Sequence, residues 1–239
     1  MAGTATGGVT RRAERRAETI AEIKSLAREQ LADNGTGGLT LRGIARSMRM
    51  SPAAIFRYFD TQSALITALC VDAYNSQADA IAEALRTPGR SPADQWRAVC
   101  VATRRWALAH PADYALTNGT PIPGYQARPE DTGPAAGRIM ASVSSVYIAA
   151  IASKDADPAA TAVPALASGP LLTAMLAGAD LPDSPVPGII LNAWSSILGF
   201  ISAEIFGSLR DLVSDTDTLF DAHVTTVMNG MGFTTGTEG

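Results

Sequence analysis

The side chains with the most chemistry to offer lie between residues 40 and 62, in the run TLRGIARSMRMSPAAIFRYFDTQ. Its groups suit holding a polyanion rather than breaking a bond. The Arg57 guanidinium can bond a phosphate oxygen or the O6 and N7 edge of a guanine, and the Tyr58 hydroxyl can bond a phosphate. Thr40 and Ser51 stand where two helices should begin, so free backbone amides and the helix dipole favour a phosphate there too. Pro52, Ala53 and Ala54 are small enough to let a helix start approach base edges, with Phe56 as an aromatic neighbour. Upstream, Arg11, Arg12, Arg15 and Arg16 form a basic lead-in of the sort that reaches a neighbouring groove. Plainer uses exist for each. Thr40 and Ser51 are helix caps in any event, Phe56 and Phe59 fit core positions by register, and runs of arginine are commonly solvated helix faces.

Catalysis has little material. His110 and His223 are the only histidines, and the sequence has neither a Cys/His cluster at zinc spacing, nor a phosphate-cradling Gly loop, nor a GxSxG elbow. No catalytic residue, metal site or cofactor is expected. Cys70 and Cys100 are too few for a disulfide framework and fit a reducing cytoplasm. The N-terminus lacks an apolar signal segment, and apolar runs such as 147–152 are too short to span a bilayer, so no membrane partner is expected. The net charge of −4 hides a division. Residues 1–60 carry 10 Lys+Arg against 6 Asp+Glu, and residues 61–239 carry 9 against 17. A basic head on an acidic body can attract phosphates while the body avoids them, although solvated faces alone would give the same counts.

The elements that must position these groups are helices. Ile20, Ile23, Ala27 and Leu31 recur at helical spacing, and Asn34-Gly35 is a stop. Thr40 caps a second helix whose inner face is Leu41, Ile44, Ala45 and Met48. Ser51-Pro52 opens a third. Two short helices across a tight turn are the layout of a helix-turn-helix. Further helices are predicted at about 61–85, 92–110, 111–117, 134–151, 188–210 and 215–230, with 119–133 as an irregular Gly/Pro loop and a further start at Asp157-Pro158. The expectation is an all-α fold of about nine helices. A disordered tail at 1–10 precedes a helix-turn-helix domain at 11–60, a helical ligand-binding and dimerisation domain at 61–232, and a loose tail at 233–239.

IARSM, a short turn, SPAAIFRYF and a helix starting at TQSAL closely resemble the DNA-binding domain of the TetR family of bacterial regulators, over about residues 15–80. LAHPADY (108–114), GTPIPGY (119–125) and WSSILGFISAEIFG (194–207) resemble the branch whose C-terminal domain is named for a Trp-His-Gly signature. Trp194 and Gly199 match it, while Leu198 stands where the His is usual. The resemblance implies DNA contact by Arg11, Arg15, Arg16, Thr40, Arg49, Ser51, Pro52, Ala53, Ala54, Phe56, Arg57, Tyr58 and Gln62. Two positions depart from the pattern. Arg49 stands where the family usually has Gly in the turn, at a cost of about 1 kcal/mol if the position needs a positive φ. Gln62 stands where a Lys is common, and releases no counterion from DNA.

The resemblance further implies a small-molecule effector and a homodimer. Trp96, Val99, Thr103, Trp106 and His110 share one helical stripe, a mix of aromatics and isolated polar groups that suits a pocket and equally suits a core. Trp96, Thr103, Trp106, His110, Met140, Tyr147 and Met175 are therefore the expected ligand residues. Trp194, Ile197, Ile201 and Ile205, with Leu219, His223 and Val227, are the expected dimer residues. The implied function is a cytoplasmic, nucleoid-associated transcription regulator. It is expected to be a repressor that binds a pseudo-palindromic operator as a homodimer and is released by a small molecule. The alternative is a TetR-like small-molecule-binding protein with weak or lost DNA binding.

Overall fold

In a computed structural model of the chain, the structure describes residues 11–166, 169 and 184–234. The expected tail at 1–10, most of that at 233–239, and Met175 lie outside the described residues. Among those described there are nine α-helices and no strand, one isolated antiparallel bridge between Ala156 and Phe233 aside. The chain divides into two compact units.

The first unit comprises the described residues up to Leu69 together with Thr120–Gln126. Helix α1 (Arg11–Asn34) buries Ile23, Ala27 and Leu31, one residue per turn, while its arginines and glutamates stay at the surface. Gly35, at φ 66°, ends it, its amide bonded to the Leu31 carbonyl at 2.9 Å. Helix α2 (Leu41–Ser47) is capped by Thr40, whose hydroxyl accepts from the Gly43 amide at 3.1 Å. Helix α3 (Pro52–Ile55) is capped by Ser51, which accepts from the Ala54 amide at 3.2 Å, with Pro52 at its first position. Helix α4 (Gln62–Leu85) starts behind Thr61, whose hydroxyl accepts from the Ala64 amide at 3.0 Å. Leu39, Leu41, Ile44, Ala45, Ile55, Phe59, Leu65, Ile66 and Leu69 form the core, each worth about 1.5–3 kcal/mol when fully buried except the smaller Ala45. Ile122 is buried with this unit, and Tyr125 shares a 3.0 Å hydrogen bond with Thr67.

The second unit holds the remainder of α4 and helices α5 (Pro92–Ala109), α6 (Pro111–Asn118), α7 (Pro129–Ala152), α8 (Val186–Ile205) and α9 (Thr216–Gly230). Helix α5 packs against α7 and α8, and α8 against α9. Trp96, Tyr114, Val143, Tyr147, Ile197, Ile201 and Phe220 are sealed in this core. Burial pushes the Cys100 thiol and the Tyr147 hydroxyl up to about 12, so both stay protonated. A half-buried ion cluster ties three helices together. Arg104 donates to both Glu204 oxygens at 2.7 and 2.6 Å, reaches Asp217 at 2.7 Å and lies over the Phe220 ring. Past α9 the chain turns at Gly232 and runs beside 155–157. Phe233 seats between Trp96 and Tyr147, with ring centroids 6.3 and 5.9 Å away.

Several expected bounds shift for local reasons. Helix α7 begins at Pro129 rather than Pro134, because Pro129 fits a first helical position and Arg128 braces the first turn on Asp131 at 2.8 and 3.0 Å. Helix α8 ends at Ile205 rather than running to residue 210, with Gly207 at φ 82°. Asp157-Pro158 opens only a three-residue 3-10 turn. Helices α7 and α8 are long and apolar enough to cross a membrane by length and composition, but each lays a buried stripe in this core.

Candidate nucleic-acid interface

The first unit turns its short helices outward. Between α2 and α3 the backbone reverses in three residues: the Met50 amide bonds the Ala45 carbonyl at 2.8 Å, and Arg49 takes φ 54°. That is the left-handed conformation the Gly pattern suggested, here imposed on an arginine. Ser51, Pro52 and Ala53 are exposed at the start of α3, with no bulky side chain over them. The helical turn continues past Ile55, through amides of Arg57 to Ala54 and Tyr58 to Ile55, so Phe56, Arg57 and Tyr58 follow on one short ramp. Ile55 and Phe59 anchor that ramp from below. Phe56 points outward at 45% exposure, against the core position its register allowed; Phe59 alone takes the core role. A large apolar ring left in solvent beside cations is a contact residue in search of a surface.

Two concave surfaces flank the ramp. A recess of about 780 Å³ is lined by Arg11, Arg12, Arg15, Arg16, Thr19, Met50, Ala54, Arg57 and Tyr58. It brings together five arginines from two helices and no carboxylate. On the other side, a groove of about 500 Å³ is lined by Thr40, Leu41, Arg42, Gly43, Arg46, Phe56 and Gln62. The start of α2 is fixed there with little slack. The Thr40 amide donates to Gln30 Oε1 at 3.1 Å, and a Cβ on Gly43 would come within 2.9 Å of both Thr40 Oγ1 and Gln30 Nε2.

Of the expected contact residues, Arg11, Arg15, Arg16, Ala54, Arg57 and Tyr58 share the recess, Thr40, Phe56 and Gln62 share the groove, and Arg49 stands in the turn between α2 and α3. Arg42 and Arg46 were missed. Their i, i+4 spacing opposite Leu41, Ile44 and Ala45 is the signal that places both on the outer face of α2.

In the second unit, Trp96, Thr103, Trp106 and Tyr147 are buried and Met140 is half-buried. Trp106 Nε1 donates to Ser76 Oγ at 3.0 Å, Thr103 Oγ1 to the Val99 carbonyl, and Tyr147 Oη to the Met231 carbonyl at 2.6 Å. Trp96 Nε1 and Ser144 Oγ are buried without a partner. His110 departs from the stripe. It is exposed, because α5 ends at Ala109 and the backbone at His110 leaves helical geometry. The dimer residues need a larger correction. Trp194, Ile197 and Ile201 are buried in the chain's own core, because α8 is apolar on several faces and spends its largest side chains inward. The outward side of α8 and α9 instead presents Leu191, Asn192, Ser195, Ser196 and Gly199 beside Leu219, Ala222 and Thr226. Between the two helices lies a groove of about 420 Å³, where His223 Nε2 meets the Ser196 carbonyl at 3.2 Å and stacks on Phe200.

Residues 23–69 match the family described as "Bacterial regulatory proteins, tetR family", and residues 96–227 match "Tetracyclin repressor-like, C-terminal domain". The HTH-type transcriptional regulator Rv1816 of Mycobacterium tuberculosis is 34% identical over 219 residues, which is 90% of this chain and 92% of that protein. Among solved structures, the regulatory protein SCO4313 is 32% identical with a TM-score of 0.69, covering 92% of this chain and 100% of its own. RolR, solved with its ligand resorcinol, shares the fold at 14% identity and a TM-score of 0.52, covering 92% of this chain and 91% of its own.

Proposed function

Since the chain belongs to the TetR family of bacterial transcriptional regulators, we propose that it is a cytoplasmic repressor that binds a pseudo-palindromic operator as a homodimer and is released by a small molecule. The observation that carries the DNA half is the exposed ramp of Phe56, Arg57 and Tyr58 between two cationic concavities. Ser51, Pro52, Ala53 and Ala54 admit the end of α3 to the floor of a major groove. Arg57 then reads or grips at its rim. Thr40 and Gln62, with Arg42 and Arg46, hold the flanking phosphates, and Arg11, Arg12 and Arg15 follow the backbone on the other side. One such helix reads too few bases for a specific site. Two heads spaced by a dimer read two half-sites.

The outward, small-residue side of α8 and α9 is the proposed dimer face, since serines, alanine and Gly199 let a second pair of helices approach closely. The effector site is proposed around Trp96, Thr103 and Tyr147. The unpartnered Trp96 Nε1 and Ser144 Oγ supply hydrogen bonds for a compound that is otherwise apolar and ring-shaped. That RolR, of the same fold, takes resorcinol supports this choice. Chain connectivity offers the coupling route. The peptide passes between the two units within α4 and again at each end of Thr120–Gln126, so an effector that favours one arrangement of the second unit shifts the population of the heads.

The test begins with selection of a duplex from a random pool by the full-length protein. Replacing Arg57→Ala and Tyr58→Phe together is expected to weaken binding to that duplex at least about ten-fold in a gel-shift, the loss of 1–3 kcal/mol typical of a base or phosphate pair, with the helical circular dichroism intact. Unchanged affinity would remove α3 from the interface.

A further inference from the structure

Helix α3 is a single turn, too short to hold its own shape through helix propagation. The ramp that follows it ends in a carbonyl, that of Arg57, which no continuing helix satisfies. Both weaknesses are met by one side chain from another element. Arg16 Nη1 donates to the Arg57 carbonyl at 3.3 Å, and its guanidinium carbon lies 5.1 Å from the centre of the Tyr58 ring. Arginine suits this double task because its planar fork can donate in its plane while its face lies on an aromatic ring. Among the described residues, the guanidinium of Arg16 is held in this way while those of Arg11, Arg12 and Arg15 are not.

We propose that Arg16 is a positioning residue for DNA recognition, clamping the end of the reading ramp through Tyr58 and the Arg57 carbonyl instead of gripping a phosphate. The proposal rests on the reading that this unit binds DNA. It separates the four arginines of α1 into two kinds. Arg11, Arg12 and Arg15 offer free charge to the backbone, and Arg16 converts its charge into the orientation of a neutral hydroxyl.

Affinity for the selected duplex, measured by fluorescence anisotropy over about 50–200 mM salt, separates the two roles. The proteins compared are the wild type, Arg16→Ala, Arg16→Lys, Tyr58→Ala and the Arg16→Ala/Tyr58→Ala double variant, each checked for unchanged helical content. As a clamp, Arg16→Ala weakens binding about ten-fold, leaves the slope of log affinity against log salt unaltered, and adds less than about two-fold on the Tyr58→Ala background. Arg16→Lys keeps the charge but lacks the flat fork, and recovers only part of the loss. Should Arg16→Ala lose helical content, the Lys variant decides alone. Equal losses on both backgrounds with a slope shallower by about 0.9 would make Arg16 a phosphate contact and overturn the proposal, as would full rescue by Lys or no loss with Ala. Failure of the wild type to select any duplex would instead overturn the DNA-binding reading.

Discussion

Arg49 holds a backbone conformation that suits glycine. At φ 54° its Cβ crowds the neighbouring carbonyl, at a cost of about 1 kcal/mol. Arg49→Gly is therefore expected to stabilise the first unit by up to about that amount in urea unfolding followed by circular dichroism, less the extra entropy that Gly brings to the unfolded chain. If Arg49 also meets a phosphate, the same variant binds DNA with a salt slope shallower by about 0.9, so stability and affinity move in opposite directions. A stabilised variant with an unchanged slope would leave the arginine without a role at the DNA. The side-chain roles were only partly legible in the sequence. Thr40 and Ser51 were readable as caps because a cap depends on its own helix start. The outward turn of Phe56 was not, because a four-residue helix gives too few turns for periodicity to separate Phe56 from Phe59. The Arg16 contact was illegible for a different reason: its partners lie 41 and 42 positions away in the sequence.

Helices were more legible than their partners. Those with strong stops at both ends, α1, α5 and α6, fall within a residue or two of expectation, since Gly, Pro and Ser-Pro punctuate locally. Prolines misled at α7, where Pro129 starts the helix and Pro134 lies within it. On α8 the residues expected at a dimer interface proved to be core, because a helix apolar on several sides does not tell which side its own chain will take. The outward side gives a direct test of the dimer. A side chain at Gly199 would meet nothing within 4 Å in the protomer. Gly199→Glu should therefore leave the protomer folded, and gains helix propensity, while setting like charges against each other across a symmetric interface. Sedimentation velocity at micromolar concentration is expected to show the wild type as a dimer and the variant shifted to monomer. A variant that stays dimeric would move the interface off this face.

For the molecule as a whole, the division of charge matters more than its sum. The head carries the cations and the remainder most of the acids, so a small net negative charge is compatible with a strongly salt-dependent DNA binder. With Arg11, Arg12, Arg15, Arg42, Arg46 and Arg57 each replacing a counterion on two heads, affinity for the selected duplex is expected to fall by at least about 10³ between 50 and 200 mM salt. A loss below ten-fold would mean that few of these arginines touch phosphate. The all-α architecture was legible throughout, because alanine-rich composition and helical periodicity pointed the same way. The division into units was not. The expected boundary fell at residue 60, whereas the first unit runs to Leu69 and takes in Thr120–Gln126 as well.

That borrowed segment bears on how such proteins diversify. Ile122 and Tyr125 complete a unit whose other residues end some fifty positions earlier in the chain. A recombination event that exchanged only the first 69 residues between two relatives would leave Tyr125 facing a foreign partner in place of Thr67 and Ile122 in a foreign core. Reading heads should therefore be inherited together with the loop after α6, as two separate stretches of gene that change in step.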